Sequence, residues 1–200
     1  MTTTQLFAKE GLKGGIILGV CVFVCFILGI NFFALLLLAM LLFWIFIFRN
    51  PERLPNERVE NILLSPCDGK IENIEYIHGG VLLTFRVGIM DVGILRAPLN
   101  LNEQITQEKR NGLRLYCFED DYKERLNSKL FLETSVFSLQ ITPEIFDAKV
   151  YPLSEIKRGD RIGFCKMGIL KMKIILNTVE LKLNIGDIVR GGETILGYVK

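Results

Sequence analysis

The sequence predicts a β-dominated α+β domain that follows an N-terminal transmembrane or re-entrant helical hairpin. One observation behind this prediction is an uncharged apolar segment of 35 residues, 14–48, bounded by Lys13 and Arg49. The other is a series of short runs rich in Ile, Val, Leu, Phe and Thr, separated by glycine-containing turns, over residues 51–200. Runs of this kind are typical of strands, so most of the chain is predicted to be mainly β.

The apolar segment is too long for one ordinary membrane-spanning helix and short for two. A bilayer core needs roughly 20 helical residues. Gly29 and Asn31, near the middle of the segment, favour a turn. The sequence therefore predicts two short helices, residues 14–28 and 32–48, that form a hairpin. One long tilted helix is the alternative.

Charge suggests on which side of the membrane the rest of the chain lies. Basic residues flank the apolar segment at both ends: Lys9, Lys13, Arg49, Arg53 and Arg58. By the positive-inside rule, we expect residues 1–13 to be a cytoplasmic tail and the soluble domain, residues 49–200, to lie on the cytoplasmic face. From residue 51 onward 21 basic residues balance 21 acidic ones, so no nucleic-acid partner is expected.

Within the soluble domain, alternation and β-branched content predict five strands. They are residues 70–77, 81–89, 113–118, 131–141 and 169–183. Turns are predicted at residues 79–80, 158–160 and 191–192 because each contains glycine. One helix is predicted over residues 119–130, where leucines recur at helical spacing.

Cysteine and histidine are too scattered to predict a metal site. The chain has no CxxC pair, and His78 is its only histidine. No zinc or other metal is therefore expected, and the cysteines are expected to be reduced thiols. His78 precedes two glycines and is predicted to be an exposed turn residue.

Two segments are similar to the two halves of a biotinyl/lipoyl-type barrel-sandwich domain. They read SPCDGKI at residues 65–71 and NIGDIVRGGETILG at residues 184–197. This likeness predicts a barrel-sandwich-like domain and raises the alternative of a carrier with Lys173 as its modified lysine. An attachment lysine belongs on a hairpin tip between the halves. Lys173 instead lies in a continuous apolar run, residues 169–176, that is predicted to be an interior strand.

Four segments in order resemble the short, membrane-anchored phosphatidylserine decarboxylases. FRNPER at residues 48–53 is similar to that family's junction after its hydrophobic hairpin, and SPCDGKI to its Ser-Pro-Ala-Asp-Gly-Lys-Val. DVGILRAP at residues 91–98 is similar to its Asp-Val-His-Val-Asn-Arg-Ala-Pro. KRGDRIGFCKMG at residues 157–168 is similar to the segment that leads to its cleavage site.

The resemblance implies a specific chemistry. In that family a serine in a Gly-Ser pair attacks the preceding carbonyl and becomes a pyruvoyl group, which acts as the electron sink for decarboxylation. An aspartate and a histidine assist the serine. Carried over to this chain, Asp68 matches the aspartate, Gly93 stands at the histidine position, and Ile169, after Gly168, stands at the serine position. No pyruvoyl cofactor is therefore expected.

A shifted alignment does not restore the missing pair. None of the eighteen glycines is followed by Ser, Thr or Cys, and Cys165 follows Phe164. The chain is therefore predicted to be an inactive family member that binds membrane phospholipids or a partner, either a second copy or a catalytic paralogue. An active decarboxylase that makes phosphatidylethanolamine is the alternative. Gly93→His with Ile169→Ser is expected to give at least partial self-cleavage if the rest of the site survives.

Overall fold

The computed structural model describes residues 7–53, 61–100, 106–151, 156–175 and 179–199. It divides into two compact units, Met1–Glu52 and Arg53–Lys200. Three parts of the sequence predictions fall outside the described residues. These are residues 1–6 of the tail, the basic residue Arg58, and residues 176–178 of the last predicted strand.

The first unit is a helical hairpin. A short 3-10 turn, Lys9–Gly11, leads into α1 (Leu12–Ile27), and α2 is Asn31–Ile47. Gly29 has a φ of +71°, a conformation that glycine adopts without a steric penalty. The structure therefore has the two predicted helices, with bounds that differ from the predicted ones by at most two residues.

The two helices pack closely because glycines make room for an aromatic ring. The indole Nε1 of Trp44 donates a hydrogen bond to the carbonyl oxygen of Gly11 at 2.9 Å. A Cβ at Gly14 would overlap the same indole ring. By length and composition, Lys9–Ile27 could cross a membrane, and Asn31–Ile47 is a shorter apolar helix. The chain thus has an apolar N-terminal helix that could anchor it.

The second unit consists mainly of short antiparallel strands. Those described are β1 (Ile62–Leu64), β2 (Gly69–Ile77), β3 (Gly80–Val87), β4 (Ile94–Arg96), β5 (Thr106–Arg110), β6 (Lys129–Glu133), β7 (Phe137–Pro143), β8 (Lys149–Val150), β9 (Arg161–Phe164), β10 (Gly168–Ile174), β11 (Val179–Leu181), β12 (Ile188–Val189) and β13 (Ile195–Val199). One short helix, α3 (Asp120–Leu126), lies between β5 and β6 in the sequence. The predicted β-dominated α+β class is confirmed.

Over the described residues, the strands form one large sheet and two small ones. The large sheet has the order β12-β2-β3-β10-β7-β6-β5, and the small sheets are β1-β13-β11 and β4-β9-β8. The strand β10 pairs with β3 and with β7 over its full length. Alternate side chains of β10, those of Leu170, Met172 and Ile174, enter the hydrophobic core. Lys173 therefore lies on an interior strand, as predicted, and not on a hairpin tip.

The two segments that are similar to barrel-sandwich halves pair with each other. β1 pairs with β13, and β2 pairs with β12. The N–H of Ser65 donates to the carbonyl oxygen of Thr194 at 2.9 Å, and that of Gly186 donates to Ile71 at 2.8 Å. The beginning and the end of the second unit therefore pair with one another.

The predicted strand at residues 113–118 is wrong. This segment is irregular apart from a single bridge between Leu113 and Asn127. The Asn127 side chain takes up its backbone polar groups: Oδ1 accepts from the N–H of Leu115 at 2.8 Å, and Nδ2 donates to the carbonyl oxygen of Leu115 at 3.0 Å. A side-chain amide thus replaces the partner strand.

Two predicted bounds are also corrected. The predicted helix ends at Leu126 instead of residue 130, because β6 begins at Lys129. The single strand predicted over residues 131–141 is a hairpin of β6 and β7. Its turn has no glycine or proline; instead, Thr134 Oγ1 accepts from the N–H of Phe137 at 3.0 Å and donates to its carbonyl oxygen at 2.6 Å.

Candidate functional site

Asp68 lies directly before β2 and forms a buried ion pair with Arg53. Its Oδ2 accepts a hydrogen bond from Arg53 Nη2 at 2.7 Å, and Oδ1 accepts from Nη1. Oδ1 also accepts from the N–H of Gly191 at 2.8 Å, while Arg53 Nη1 donates to the carbonyl oxygen of Gly191 at 2.8 Å. Both side chains are less than a tenth exposed. Asp68 therefore joins the first residue of the second unit to the turn that follows β12.

Several charges surround this ion pair. Burial works to lower the pKa of Arg53, but the hydrogen bond and negative charge of Asp68 outweigh it, and the pKa is raised. Glu193 lies 3.4 Å from Arg53 Nε. Burial, followed by the positive charges of Arg161 and Arg53, lowers the pKa of Arg96 to about 10. Several guanidinium groups therefore lie around the carboxylates of Asp68 and Glu193 at this end of the unit.

Gly93 packs against the segment that precedes β10. Its carbonyl oxygen accepts a hydrogen bond from the N–H of Cys165 at 2.7 Å. A Cβ at Gly93 would lie 2.8 Å from Phe164 Cε2, 3.1 Å from the Cys165 carbonyl oxygen and 3.2 Å from Lys166 Cδ. Lys166 is fully buried, and its Nζ donates to the carbonyl oxygen of Asp91. The space beside Gly93 is therefore already filled.

The chain enters β10 through a tight corner. Met167 has a φ of +57°, which is uncommon for a residue with a side chain, and its carbonyl oxygen accepts from the N–H of Glu144 at 3.0 Å. A Cβ at Gly168 would lie 2.5 Å from the carbonyl oxygen of Thr142, so glycine is required there. Ile169 then pairs with Arg86 on β3 and with Thr142 on β7.

Ile169 is half-buried on the outer face of the large sheet. It lines a shallow groove of about 270 Å³ together with residues that are mostly polar. The other lining residues are Glu72, Asn73, Glu75, Leu82, Thr84, Asp120, Glu124 and Lys171. An apolar side chain therefore lies among charged and polar neighbours.

Ion pairs hold the charged groups on this face. Arg86 bonds to Glu72, and its Nη atoms lie 3.2 Å from Asp120 and 3.2 Å from Glu144. Lys123 Nζ lies 3.0 Å from Glu144 and 3.2 Å from Asp120. Burial favours a lower pKa for Arg86 and Lys123, but the carboxylates raise both; these bases in turn lower the pKa of Asp120 against the effect of its own burial. Each of the three carboxylates therefore faces at least one of the two bases.

The structure brings Gly93, Gly168 and Ile169 to one end of the large sheet. Asp68 precedes β2 at the same end, and its side chain binds Arg53 and Gly191. Lys70 and Ile169 pair with Arg86 from opposite sides, which places their Cα atoms about 10 Å apart at the usual strand spacing. Gly191, which Asp68 accepts from, follows β12, and β12 flanks β2 on the side away from β10. Asp68 therefore has a structural partner that lies away from Ile169.

The hydrocarbon side chain of Ile169 has no heteroatom to attack a carbonyl. Burial, and then the charge of Glu144, raises the pKa of the Cys165 thiol to about 12, so its nucleophilic thiolate is scarce at neutral pH. His78 is exposed in the turn after β2, at the far end of that strand from Asp68, as predicted for a turn histidine.

Sequence reasoning identified Asp68 but missed the side chains that surround it and Ile169. Arg53 belongs to the junction motif, yet its contact with Gly191 spans 138 residues, and no spacing rule predicts such a pair. Arg86 and Glu144 belong to none of the motifs. The one indication of their role in the sequence was that each is a charged residue within an otherwise apolar run.

Comparisons with known proteins show which family the sequence matches. The family model described as "Phosphatidylserine decarboxylase" matches residues 40–197. The chain is 30% identical over 189 residues to a phosphatidylserine decarboxylase proenzyme of Carboxydothermus hydrogenoformans, with 86% of this chain and 87% of the relative covered.

Two further relatives match as much of the chain or more. A phosphatidylserine decarboxylase proenzyme of Syntrophus aciditrophicus is 26% identical over 98% of this chain and 99% of its own. A putative archaetidylserine decarboxylase proenzyme of Methanosarcina barkeri is 25% identical over 86% of this chain and 84% of its own. No solved structure matches the chain significantly.

We predict that Asp68→Asn lowers the free energy of unfolding of the second unit by about 3–5 kcal/mol, because it removes the buried carboxylate that pairs with Arg53 and leaves only the part-exposed Glu193 beside that guanidinium. Urea unfolding of the full chain in detergent, followed by near-UV circular dichroism, measures this. The control is Arg190→Ala, which removes an exposed pair with Glu193 and should cost less than about 0.5 kcal/mol. An Asp68→Asn variant as stable as the parent would contradict the structural role of the pair.

We also predict that stability falls as the pH rises above the ordinary thiol pKa of 9.0 toward about 12, the pKa of folded Cys165. In this window the unfolded chain has released the thiol proton and the folded chain still holds it, so alkali favours unfolding by about 1.4 kcal/mol per pH unit. Cys67, whose pKa burial also raises, adds to the effect. Cys165→Ala should reduce the slope, whereas Cys117→Ala, at an exposed cysteine, should leave it unchanged.

Proposed function

Because the chain belongs to the phosphatidylserine decarboxylase family, we propose that it is a catalytically inactive, membrane-anchored member that binds phospholipids or a protein partner. The observation that carries this proposal is Ile169. It stands where the resemblance expects the serine that cleaves the chain, and it is a hydrocarbon residue in a strand that is paired on both sides. Without an oxygen at this position, neither self-cleavage nor a ketone has a source.

The surroundings of Ile169 support the same conclusion. The position of the expected histidine is Gly93, and the space beside it is occupied by the Phe164 ring and the buried Lys166 stem. Cys165, four residues before Ile169, is in the core with a raised pKa. A substitute nucleophile or base therefore has neither the room nor the protonation state that the reaction needs.

The anchor supports a role at a membrane. Residues 14–48, which contain α2 and all of α1 except its first two residues, carry no charge, and Lys13 and Arg49 bound this segment. We propose that both ends of the hairpin lie on the cytoplasmic side, following the positive-inside rule, so that the second unit faces the inner leaflet. The relatives are named for serine phospholipids, and we propose lipids with that headgroup as the class bound.

An active decarboxylase that makes phosphatidylethanolamine is the second candidate. Asp68 is retained, and the chain matches proenzymes over nearly their whole length. Asp68, however, is held by Arg53 and Gly191, and this pairing accounts for it without a catalytic role.

We predict that the chain purified from membranes is a single uncleaved species of 22.8 kDa. Intact-mass spectrometry measures this, since Ile169 cannot form the ester that precedes cleavage. A family member that carries the Gly-Ser pair, expressed and purified in parallel, is the control and should appear as two fragments. A fragment that begins at position 169 with a blocked N-terminus, or release of labelled carbon dioxide from labelled phosphatidylserine, would overturn the proposal.

The contacts around Gly93 change the result that we expect when histidine and serine are placed at positions 93 and 169. A side chain at position 93 meets Phe164 Cε2 at 2.8 Å, so we predict that Gly93→His with Ile169→Ser stays uncleaved and is less stable than the parent. Adding Phe164→Leu removes the ring atoms at this contact, and we predict partial cleavage in the triple variant. Phe164→Leu alone is the control for folding. Equal cleavage of the double and triple variants on a denaturing gel would show that space at position 93 is not the obstacle.

A further inference from the structure

The second unit carries an exposed group of large apolar side chains in and before α3. They are Leu113, Tyr116, Phe118, Tyr122 and Leu126, each between 47% and 56% exposed, and we call them the aromatic patch. Tyr122 and Leu126 lie one helical turn apart and share a face of α3. The N–H of Leu113 donates to the carbonyl oxygen of Leu126 at 2.8 Å, so the two ends of the segment lie side by side.

α3 buries a charged side chain and exposes apolar ones, which is the reverse of an ordinary surface helix. Its buried residue is Lys123, which reaches Glu144, and its neighbour Glu124 bonds to Lys171 at 2.7 Å. Surface helices normally bury their apolar side and expose their charges. Here ion pairs attach the helix to the sheet, and Tyr122 and Leu126 face outward. An apolar surface held in this way is typical of a contact with another body.

The charges beside the aromatic patch indicate what kind of surface it fits. Arg114 and Arg125 are exposed, and so are Glu119 and Asp121, so the two signs balance. A balanced surface gains little from a strongly anionic partner. Tyrosine and phenylalanine rings with nearby arginines suit the headgroup level of a zwitterionic bilayer, where each ring has an apolar body and the tyrosines a polar tip.

The connection to the hairpin keeps such a bilayer within reach. About fifteen residues join Ile47, the end of α2, to Ile62, the start of β1, and a chain of that length spans at most about 50 Å. If the hairpin is inserted, the second unit remains near the bilayer at a high effective concentration, so a weak contact suffices.

We propose that the aromatic patch is a second membrane contact, which inserts its rings into the interfacial region of a zwitterionic bilayer. The inference rests on the proposed membrane anchoring and adds to it a defined lipid-facing surface of the second unit. The contact is driven by burial of apolar side chains and not by net charge.

Cys117 offers a native probe, because it is exposed and lies between Tyr116 and Phe118. The full chain with Cys21→Ala and Cys25→Ala is labelled with a fluorophore at Cys117. The buried Cys67 and Cys165 do not compete for the label. The labelled chain is reconstituted into vesicles of phosphatidylcholine and phosphatidylethanolamine. Quenching by a nitroxide at headgroup depth should be several-fold stronger than for a label at Ile185→Cys in a Cys117→Ala background. It should persist when salt rises from about 0.1 M to about 1 M, where charge interactions are screened.

Tyr122→Asp with Leu126→Asp should reduce the quenching to the level at position 185. The matched control is Ile185→Asp with Ile188→Asp, which alters an equally exposed apolar pair elsewhere and should leave the Cys117 signal unchanged. Equal quenching at the two positions in vesicles that carry the protein overturns the patch contact alone. Shielding of Cys117 that depends on protein concentration and not on lipid overturns it in favour of a protein partner. A chain that does not float with vesicles overturns the membrane anchoring itself.

Discussion

Pairing of β10 on both edges is the constraint on which the second unit depends. A strand in the middle of a sheet has to satisfy its backbone groups on both sides, so β3 and β7 are placed in register by the seven residues Gly168–Ile174. The same pairing excludes a side chain at position 168 and places every second side chain in the core. The corner at residues 164–167, and with it Gly93, follows from where this strand begins.

Two groups of charges stabilise this arrangement from different sides. Arg53 and Asp68 attach the start of the unit to the turn after β12, and Glu144 joins α3 and β3 to the corner before β10 through Lys123, Arg86 and its own backbone N–H. Buried ion pairs of this kind specify one arrangement more than they add stability, because desolvation offsets much of their attraction. Structural reasons alone can therefore account for buried charges of this kind.

The sequence predicted the parts of the fold that depend on local pattern. The length of the apolar segment and Gly29 predicted the hairpin, and runs of β-branched residues predicted β2, β3 and β10. It failed where side chains replace backbone partners: Thr134 forms a turn without glycine, and Asn127 takes the place of a strand beside residues 113–118. At the site, residue identities at positions 68, 93 and 169 could be read directly. The crowding around Gly93 and the partners of Asp68 could not, because they depend on contacts between residues far apart in sequence.

The pairing of the first and last strands of the second unit also has a consequence for biosynthesis. Arg53 finds its partner Gly191 only after 138 further residues have been made, which takes on the order of ten seconds at ordinary elongation rates. The apolar helices leave the ribosome well before that time. If the hairpin is inserted in a membrane, as proposed, it holds the nascent chain while β1 and β2 still lack their partner strands β13 and β12. For that interval, protection from aggregation has to come from the ribosome, chaperones or the surface to which the hairpin is attached.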